Sequence, residues 1–382
     1  MKNGTEAVAL APRQDIPALT GARGPAALAV VAYHLFLDHT AEPHASWFGL
    51  EMLFGRGSLG VDFFFILSGF IIHHVYREVF ADGVRWRDAR RFLLYRFARI
   101  WPLHMVTMLG ALLLVAVAAL VFDRLPTDPE NAAAYSPAGV ILSALMVQTW
   151  FGYASPNVPA WSVSAEWTAY IAFPFLCRFL LRLPAPGWVL LGLLALLGTG
   201  TALVGHPIGR IACGFTLGLV LREAEGRWNL SRRLDPRAGV AAIAAVVAGC
   251  WLLPGDSLLP FVVAFALLVV ALCNPRDLLG QAAARPAVVY LGEISFALYM
   301  VHAVVWSAYK NVLRMAVPGM DAAHPISVLP AVALCLVAAA LLYRWVELPA
   351  RDLLRKGWRR APRHAAEAAV PGVLAARPEA GR

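Results

Sequence analysis

An arginine and a histidine eleven residues apart, Arg23 and His34, stand at the head of the first apolar stretch. Eleven residues are about three helical turns, or roughly 16 Å, so both side chains fall on nearly the same face. A long substrate lying along that face could meet Arg23 with its phosphates and His34 with its reactive end, a spacing that suits acyl-CoA. Arg23 read by itself is equally a boundary arginine that snorkels to the surface. An ionisable group inside a membrane span is costly and is by default a functional candidate, and His34 is one. Asp38, one turn further on, could orient its imidazole.

The segment Arg96-Phe-Ala-Arg99-Ile-Trp-Pro102 carries two arginines at i, i+3 on one helical face, just before an apolar run. Two guanidinium groups there could grip the phosphates of a nucleotide carrier in two-pronged fashion; topology charge or contact with anionic lipid is the plainer reading. Around Asn157 to Pro174, Trp161 and Trp167 bracket Glu166 at a helix entrance. There Ser164 can cap and a first-turn carboxylate is favoured by the helix dipole, while the two tryptophans suit interfacial anchors. From Gly57 to Phe70, Asp62 suits a polar network near the outer surface. Ser68 and Gly69 are small residues that let another helix approach, which favours packing over catalysis. Late in the chain His302 lies inside a span, as a helix-packing donor or a substrate contact, and Glu347-Leu-Pro349 closes the last one.

These residues need a membrane to hold them. Of the 382 residues 59% are hydrophobic and 15% charged, against roughly a quarter charged in soluble domains. The predicted fold is all-α, a polytopic transmembrane bundle of about ten spanning helices. The spans are placed at 24–37, 59–76, 100–122, 167–183, 188–204, 208–221, 239–253, 258–273, 288–309 and 328–345. One further segment, 138–151, is too short to cross and suits a re-entrant or interfacial piece. The stretch 77–99 holds seven arginines, 222–237 five, and 351–363 six basic residues. Ten spans with an inside N-terminus put all three in the cytoplasm, as the positive-inside rule asks. The loops around Asp38 to Glu51, Asp123 to Glu130 and Asp256 are neutral or acidic.

The organisation expected is a cytoplasmic segment 1–22 with no cleavable signal, a membrane domain 23–350 and a basic flexible cytoplasmic tail 351–382. The net charge of +9 sits in short blocks between apolar runs, which argues for topology and a lipid bilayer as partner and against nucleic acid. The five cysteines have no paired spacing for zinc or a disulfide framework, so no metal site is expected.

In this order, six features resemble the membrane acyltransferase-3 family over roughly residues 16–356. They are Arg23 with His34, Gly60-Val-Asp-Phe-Phe-Phe-Ile-Leu-Ser-Gly-Phe70, Arg96-x-x-Arg99-x-x-Pro102, Trp161-Ser-x-Ser-x-Glu166-Trp167, Leu291 to His302, and Glu347-x-Pro349. One departure is His104, where the family often has tyrosine. The resemblance implies a bacterial inner-membrane enzyme that O-acylates, most often O-acetylates, carbohydrate or glycolipid acceptors from cytoplasmic acyl-CoA. It implies no tightly bound cofactor, and no fused periplasmic domain is expected here. In this reading Arg23, Arg96 and Arg99 hold the CoA phosphates, His34 is the general base, and Glu166 orients His34 or the acceptor. The rival is a transporter or flippase, whose expected mark is an internal repeat with interrupted helices; the sequence shows none.

Overall fold

The computed structural model describes residues 16–37, 50–122, 129–255, 257–317 and 325–359. Asp38 and most of the loops expected to be neutral or acidic lie outside them, as does the tail beyond 359. Every regular element among the described residues is helical. The principal helices are α1 (Pro17–Leu37), α2 (Gly60–Phe80), α3 (Trp86–Phe122), α4 (Pro137–Ala144), α5 (Trp161–Arg182), α6 (Ala185–Gly198) and α7 (Pro207–Trp228). They continue with α8 (Ala238–Leu252), α9 (Leu259–Ala271), α10 (Pro286–Glu293), α11 (Ser295–Ala316), α12 (Pro325–Leu342) and α13 (Leu348–Arg359). Proline opens several of them, at Pro17, Pro137, Pro207, Pro286 and Pro325, where its missing N–H and fixed φ suit the first turn. Large apolar side chains face outward, Leu120 at 86% and Leu329 at 73% exposure, as a lipid-facing surface requires.

The helices depart from the expected spans in ways that matter for the site. Helix α1 begins at Pro17, so Arg23 stands inside it and not at its edge. Helix α3 runs unbroken for 37 residues through Pro102, which places Arg96 and Arg99 in mid-helix. Its apolar part, 101–122, is long enough at 1.5 Å per residue to cross a core roughly 30 Å thick, and the arginine part extends beyond it. By length and composition, three helices among the described residues suffice to cross a membrane: Met52–Phe80, Trp86–Val121 and Val328–Leu353. A fourth is the pair α10 and α11 taken as one span bent by 58°. Length and composition alone therefore do not give ten crossings. Helices α6, α8 and α9 have 14, 15 and 13 residues, about 20 Å of rise each. Charged residues interrupt the apolar runs of α1, α5 and α7. Segment 138–151 is a short helix, a left-handed residue at Met146 (φ 59°) and a 3₁₀ turn at Gln148–Phe151, again too short to cross.

Helices α2 and α7 pack with their backbones in near contact. A Cβ added at Gly69 would strike the Phe215 carbonyl, one at Gly218 the Ile66 carbonyl, and one at Gly214 the Phe65 side chain. Such close approach is what small residues provide between membrane helices. Ion pairs hold the two helices at either end of this seam. At one end Arg210 donates to Asp62 from Nε (2.7 Å) and Nη2. At the other, buried Glu223 accepts from Arg77 Nε (2.9 Å), Arg227 Nε (2.9 Å) and His73 Nε2 (3.3 Å). Gly218→Ala should force the backbones apart and destabilise the fold by about 1–3 kcal/mol, the usual range for overpacking. A lower melting temperature in detergent is the readout, and an unchanged one would show that the seam relaxes freely.

An aromatic cluster joins α2, α3, α5 and α7, with Tyr76 and Phe92 centroids 4.8 Å apart, Phe92 and Phe173 5.2 Å, and Phe173 and Phe215 6.2 Å. Its Tyr76 faces the functional site.

Candidate active site

A cavity of about 350 Å³ lies among α1, α2, α3, α5, α11 and α13. One face of α5 organises it. Ser162, Glu166 and Tyr170 follow at i, i+4 and i+8, one turn apart, so they climb the cavity wall over roughly 12 Å. Each meets a different helix. Ser162 Oγ hydrogen-bonds the hydroxyl of Tyr299 on α11 (2.7 Å), and that hydroxyl also reaches the Pro159 carbonyl (3.0 Å). Glu166 Oε1 accepts from Ser68 Oγ on α2 (2.9 Å) and from the Tyr170 hydroxyl of the next turn. The ring of Tyr170 lies under the Arg96 guanidinium of α3, 5.9 Å from its centroid. Tyr76 flanks the same guanidinium at 5.5 Å and accepts from its Nη2 (3.4 Å). Arg96 is thereby oriented by two aromatic rings, a cation–π setting, and among the described residues it hydrogen-bonds no carboxylate, with Glu166 within electrostatic reach.

Arg23 and Arg99 line the same end of the cavity. Among the described residues, neither makes a hydrogen bond or ion pair. Arg23 is within electrostatic reach of Arg99, Glu347 and Glu166. Glu347 is 2% exposed and sits in a π-helical turn, Tyr343–Glu347, of the kind often found at functional sites. Arg351 on α13 donates to its Oε1 (3.4 Å) and also lines the cavity. The sequence-predicted arginines thus do converge, with Glu347 beside them and Arg351 added.

His34 and His302 are not among the cavity-lining residues. His302 lies one turn beyond Tyr299 on α11, their centroids 6.0 Å apart, and the His34 ring is 4.9 Å from that of His302. The polar groups therefore follow an order: arginines, then Glu166 with Ser68, then Ser162 with Tyr299, then the two histidines. Glu166 takes hydrogen bonds at Oε1 from Ser68 and Tyr170, both on the cavity wall.

Other expectations change as well. Ser164 does not cap α5; its hydroxyl bonds Thr149 Oγ1 (2.7 Å) from the preceding turn, and Glu166 falls in the second turn of the helix. Trp161 packs edge-on to Phe65 (6.2 Å) with the Arg210 guanidinium over its ring at 5.6 Å. Trp167 packs against Phe97 (6.1 Å). Both are half-buried packing residues. Asp62 does enter a polar network, through Arg210. His104 is fully buried and donates from Nε2 to the Ser143 carbonyl (2.7 Å), tying α3 to the end of α4. Sequence reasoning missed Tyr76, Arg210 and Arg351; an arginine within an apolar run, opposite a lone aspartate in another, is the signal that could have found Arg210.

A bundle of apolar helices encloses a cavity lined by arginines at one end, and residues 16–345 of it match the model described as an acyltransferase domain. The chain belongs to this family, the acyltransferase-3 family. It is 30% identical over 379 residues to the acyltransferase MdmB of Streptomyces mycarofaciens, covering 89% of this chain and 92% of that protein. It is 24% identical to the peptidoglycan O-acetyltransferase OatA of Listeria monocytogenes and 22% identical to the O-acetyltransferase OatA of Staphylococcus aureus, covering 89% and 90% of this chain. It spans 56% and 58% of those two proteins. No solved structure matches it.

Proposed function

We propose that this protein is an O-acyltransferase that moves an acyl group, most simply acetyl, from acyl-CoA to a hydroxyl of a carbohydrate or glycolipid acceptor. The observation that carries the reading is the group Arg23, Arg96 and Arg99 among the cavity's four arginines, with Arg23 and Arg99 making no hydrogen bond or ion pair among the described residues. Guanidinium groups that hydrogen-bond no carboxylate at a membrane protein's cavity are open to an anionic ligand, and phosphates of a nucleotide carrier match their two-pronged geometry. Relatives named as an acyltransferase and as O-acetyltransferases support the acyl chemistry.

In this reading Arg23, Arg96 and Arg99 hold the CoA phosphates, and the thioester arm runs along the Ser162–Glu166–Tyr170 face towards Tyr299. His34 takes the proton of the acceptor hydroxyl as that oxygen attacks the thioester carbonyl. Glu166, braced by Ser68 and Tyr170, orients the substrate inside the cavity, and Asp38 orients His34. The carbon–sulfur bond breaks, and the proton on His34 passes to the departing thiolate. No tightly bound cofactor takes part.

The protein would lie in a bacterial inner membrane with both termini in the cytoplasm and ten crossings, the short helices α6, α8 and α9 crossing together with their flanking turns. That orientation puts the arginine blocks 77–99 and 222–237 on the cytoplasmic side, where acyl-CoA is found. The test is release of free CoA from acetyl-CoA by the purified protein in nanodiscs. The release should rise when a carbohydrate acceptor is added and the acceptor should gain an ester. Absence of CoA binding, together with no ester formation, would overturn the reading.

A further inference from the structure

The cavity wall carries hydroxyl groups in two kinds of setting. Ser68 and Tyr170 each donate to Glu166 Oε1, and Ser295 donates to the Gly292 carbonyl of the preceding turn (2.7 Å). A hydroxyl has a single hydrogen, so these three have none left for a substrate. Ser162 and Tyr299 are placed differently. Their oxygens lie 2.7 Å apart, and both approach the Pro159 carbonyl, Ser162 Oγ at 3.1 Å and the Tyr299 hydroxyl at 3.0 Å. Two hydrogens are shared among these three contacts. A carbonyl oxygen only accepts, so one hydroxyl serves Pro159 and the other hydrogen lies between Ser162 and Tyr299. Ser162 can serve Pro159, three residues back, without help. The Tyr299 hydrogen is then held by Ser162 Oγ alone, and a rotation about the phenol C–O bond can turn it elsewhere while Pro159 keeps its donor.

We infer that Tyr299 is a catalytic residue for acyl transfer, its hydroxyl turning from Ser162 to donate to the thioester carbonyl oxygen as negative charge gathers there. This rests on the reading of the cavity as an acyl-CoA site. Ser162 and Tyr299 both line that cavity, and the ring of Phe64, another lining residue, lies 6.2 Å from that of Tyr299. A donor beside an apolar ring works at low local dielectric, where a hydrogen bond to a developing charge is worth more than in water. In the reaction the acceptor oxygen bonds to the acyl carbon, and the electron pair of the carbon–oxygen double bond moves onto the oxygen that Tyr299 meets. That pair returns as the carbon–sulfur bond breaks, and the sulfur leaves with its bonding electrons. The proton given up by the acceptor ends on this thiolate. Tyr299 keeps its own proton throughout and turns back to Ser162 afterwards. The role of Ser162 is to hold Pro159, so that the carbonyl does not draw the Tyr299 hydrogen away from the substrate.

Acetyl-CoA and its dithioester analogue, which has sulfur in place of the carbonyl oxygen, test this in nanodiscs, because sulfur accepts hydrogen bonds weakly. Tyr299→Phe keeps the ring and removes the donor. It should lower kcat on acetyl-CoA roughly 10²- to 10³-fold, the cost of losing one such donor, and leave the affinity for free CoA at the wild-type value. On the dithioester the same substitution should cost far less. Ser162→Ala lets the Pro159 carbonyl capture the Tyr299 hydrogen, so it too should slow transfer, and the double variant should be no slower than Tyr299→Phe. A wild-type kcat in Tyr299→Phe would overturn the inference, as would an equal loss on both donors, a loss that follows CoA affinity, or a double variant in which the two losses multiply. Any of these in a protein whose wild type acetylates from acetyl-CoA removes only the role of Tyr299. If the wild type neither binds CoA nor forms an ester, the acyl-CoA reading itself falls.

Discussion

His34→Ala is expected to abolish acyl transfer while leaving the protein in the membrane at normal abundance. A positioned general base contributes about 10² to 10⁴ in rate, so the residual activity should approach that of an enzyme which only brings donor and acceptor together. The expectation is sharpened by where His34 sits. It lies about 16 Å along α1 from Arg23 by helical rise and outside the lining of the arginine-rich cavity. Loss of its ring should therefore leave CoA binding intact and act on kcat. The measurement is a pair of assays on the same preparation, ester formation on a carbohydrate acceptor and affinity for free CoA. Transfer at the wild-type rate would remove His34 from the chemistry and leave Glu166, a carboxylate lining the cavity, as the group to test next.

The second large effect concerns the arginines. Arg99→Ala and Arg96→Ala should each weaken CoA binding by about 1.5–3 kcal/mol for each charged hydrogen bond removed, roughly ten- to a hundred-fold in Kd. Lysine should recover only part of this at either position, because it keeps the charge without the planar fork. Arg96 should tolerate lysine least, since its plane is already set between the Tyr76 and Tyr170 rings at 5.5 and 5.9 Å. If the two arginines serve topology alone, lysine should restore function fully, because the positive-inside effect counts both residues alike. Isothermal titration of CoA at fixed salt decides this, since phosphate contacts are screened by ions. Equal affinity in wild type, alanine and lysine forms would take both arginines out of the site.

Much of this site could be read from spacing within one helix. Arg96 and Arg99 at i, i+3 and Arg23 on α1 point to an anion, and they meet at one cavity. Gly69 is legible as a packing residue, and it sits against the Phe215 backbone. Asp62 is legible as part of a polar network, but its partner is 148 residues away, and nothing local names Arg210. Glu166 shows the same limit. Its partner Tyr170 is one turn on in the same helix and could have been read from spacing, whereas Ser68 comes from α2. Ser164 fails as a cap because the helix already begins at Trp161, and its hydroxyl bonds Thr149 from the turn before the helix. Hydropathy placed the helices but not their ends. It registers the apolar middle of a helix such as α3, while backbone hydrogen bonding carries the helix on through the arginine segment.

The pairing of α2 with α7 has a bearing on how the molecule can work. Ion pairs tie these helices at both ends, Asp62 with Arg210 and Glu223 with Arg77, and between them glycines bring backbone onto backbone at Gly69 and Gly218. A pair fastened at three levels can neither slide by a helical turn nor splay without breaking buried charge contacts. It behaves as one beam, and Ser68, which holds Glu166, is mounted on it beside Gly69. A carrier that alternates its opening between two sides must rock one half of its bundle against the other. Here a wall of the cavity is part of a stiff beam, so in the proposed reaction the acyl arm must reach its acceptor along a wall that does not swing with it.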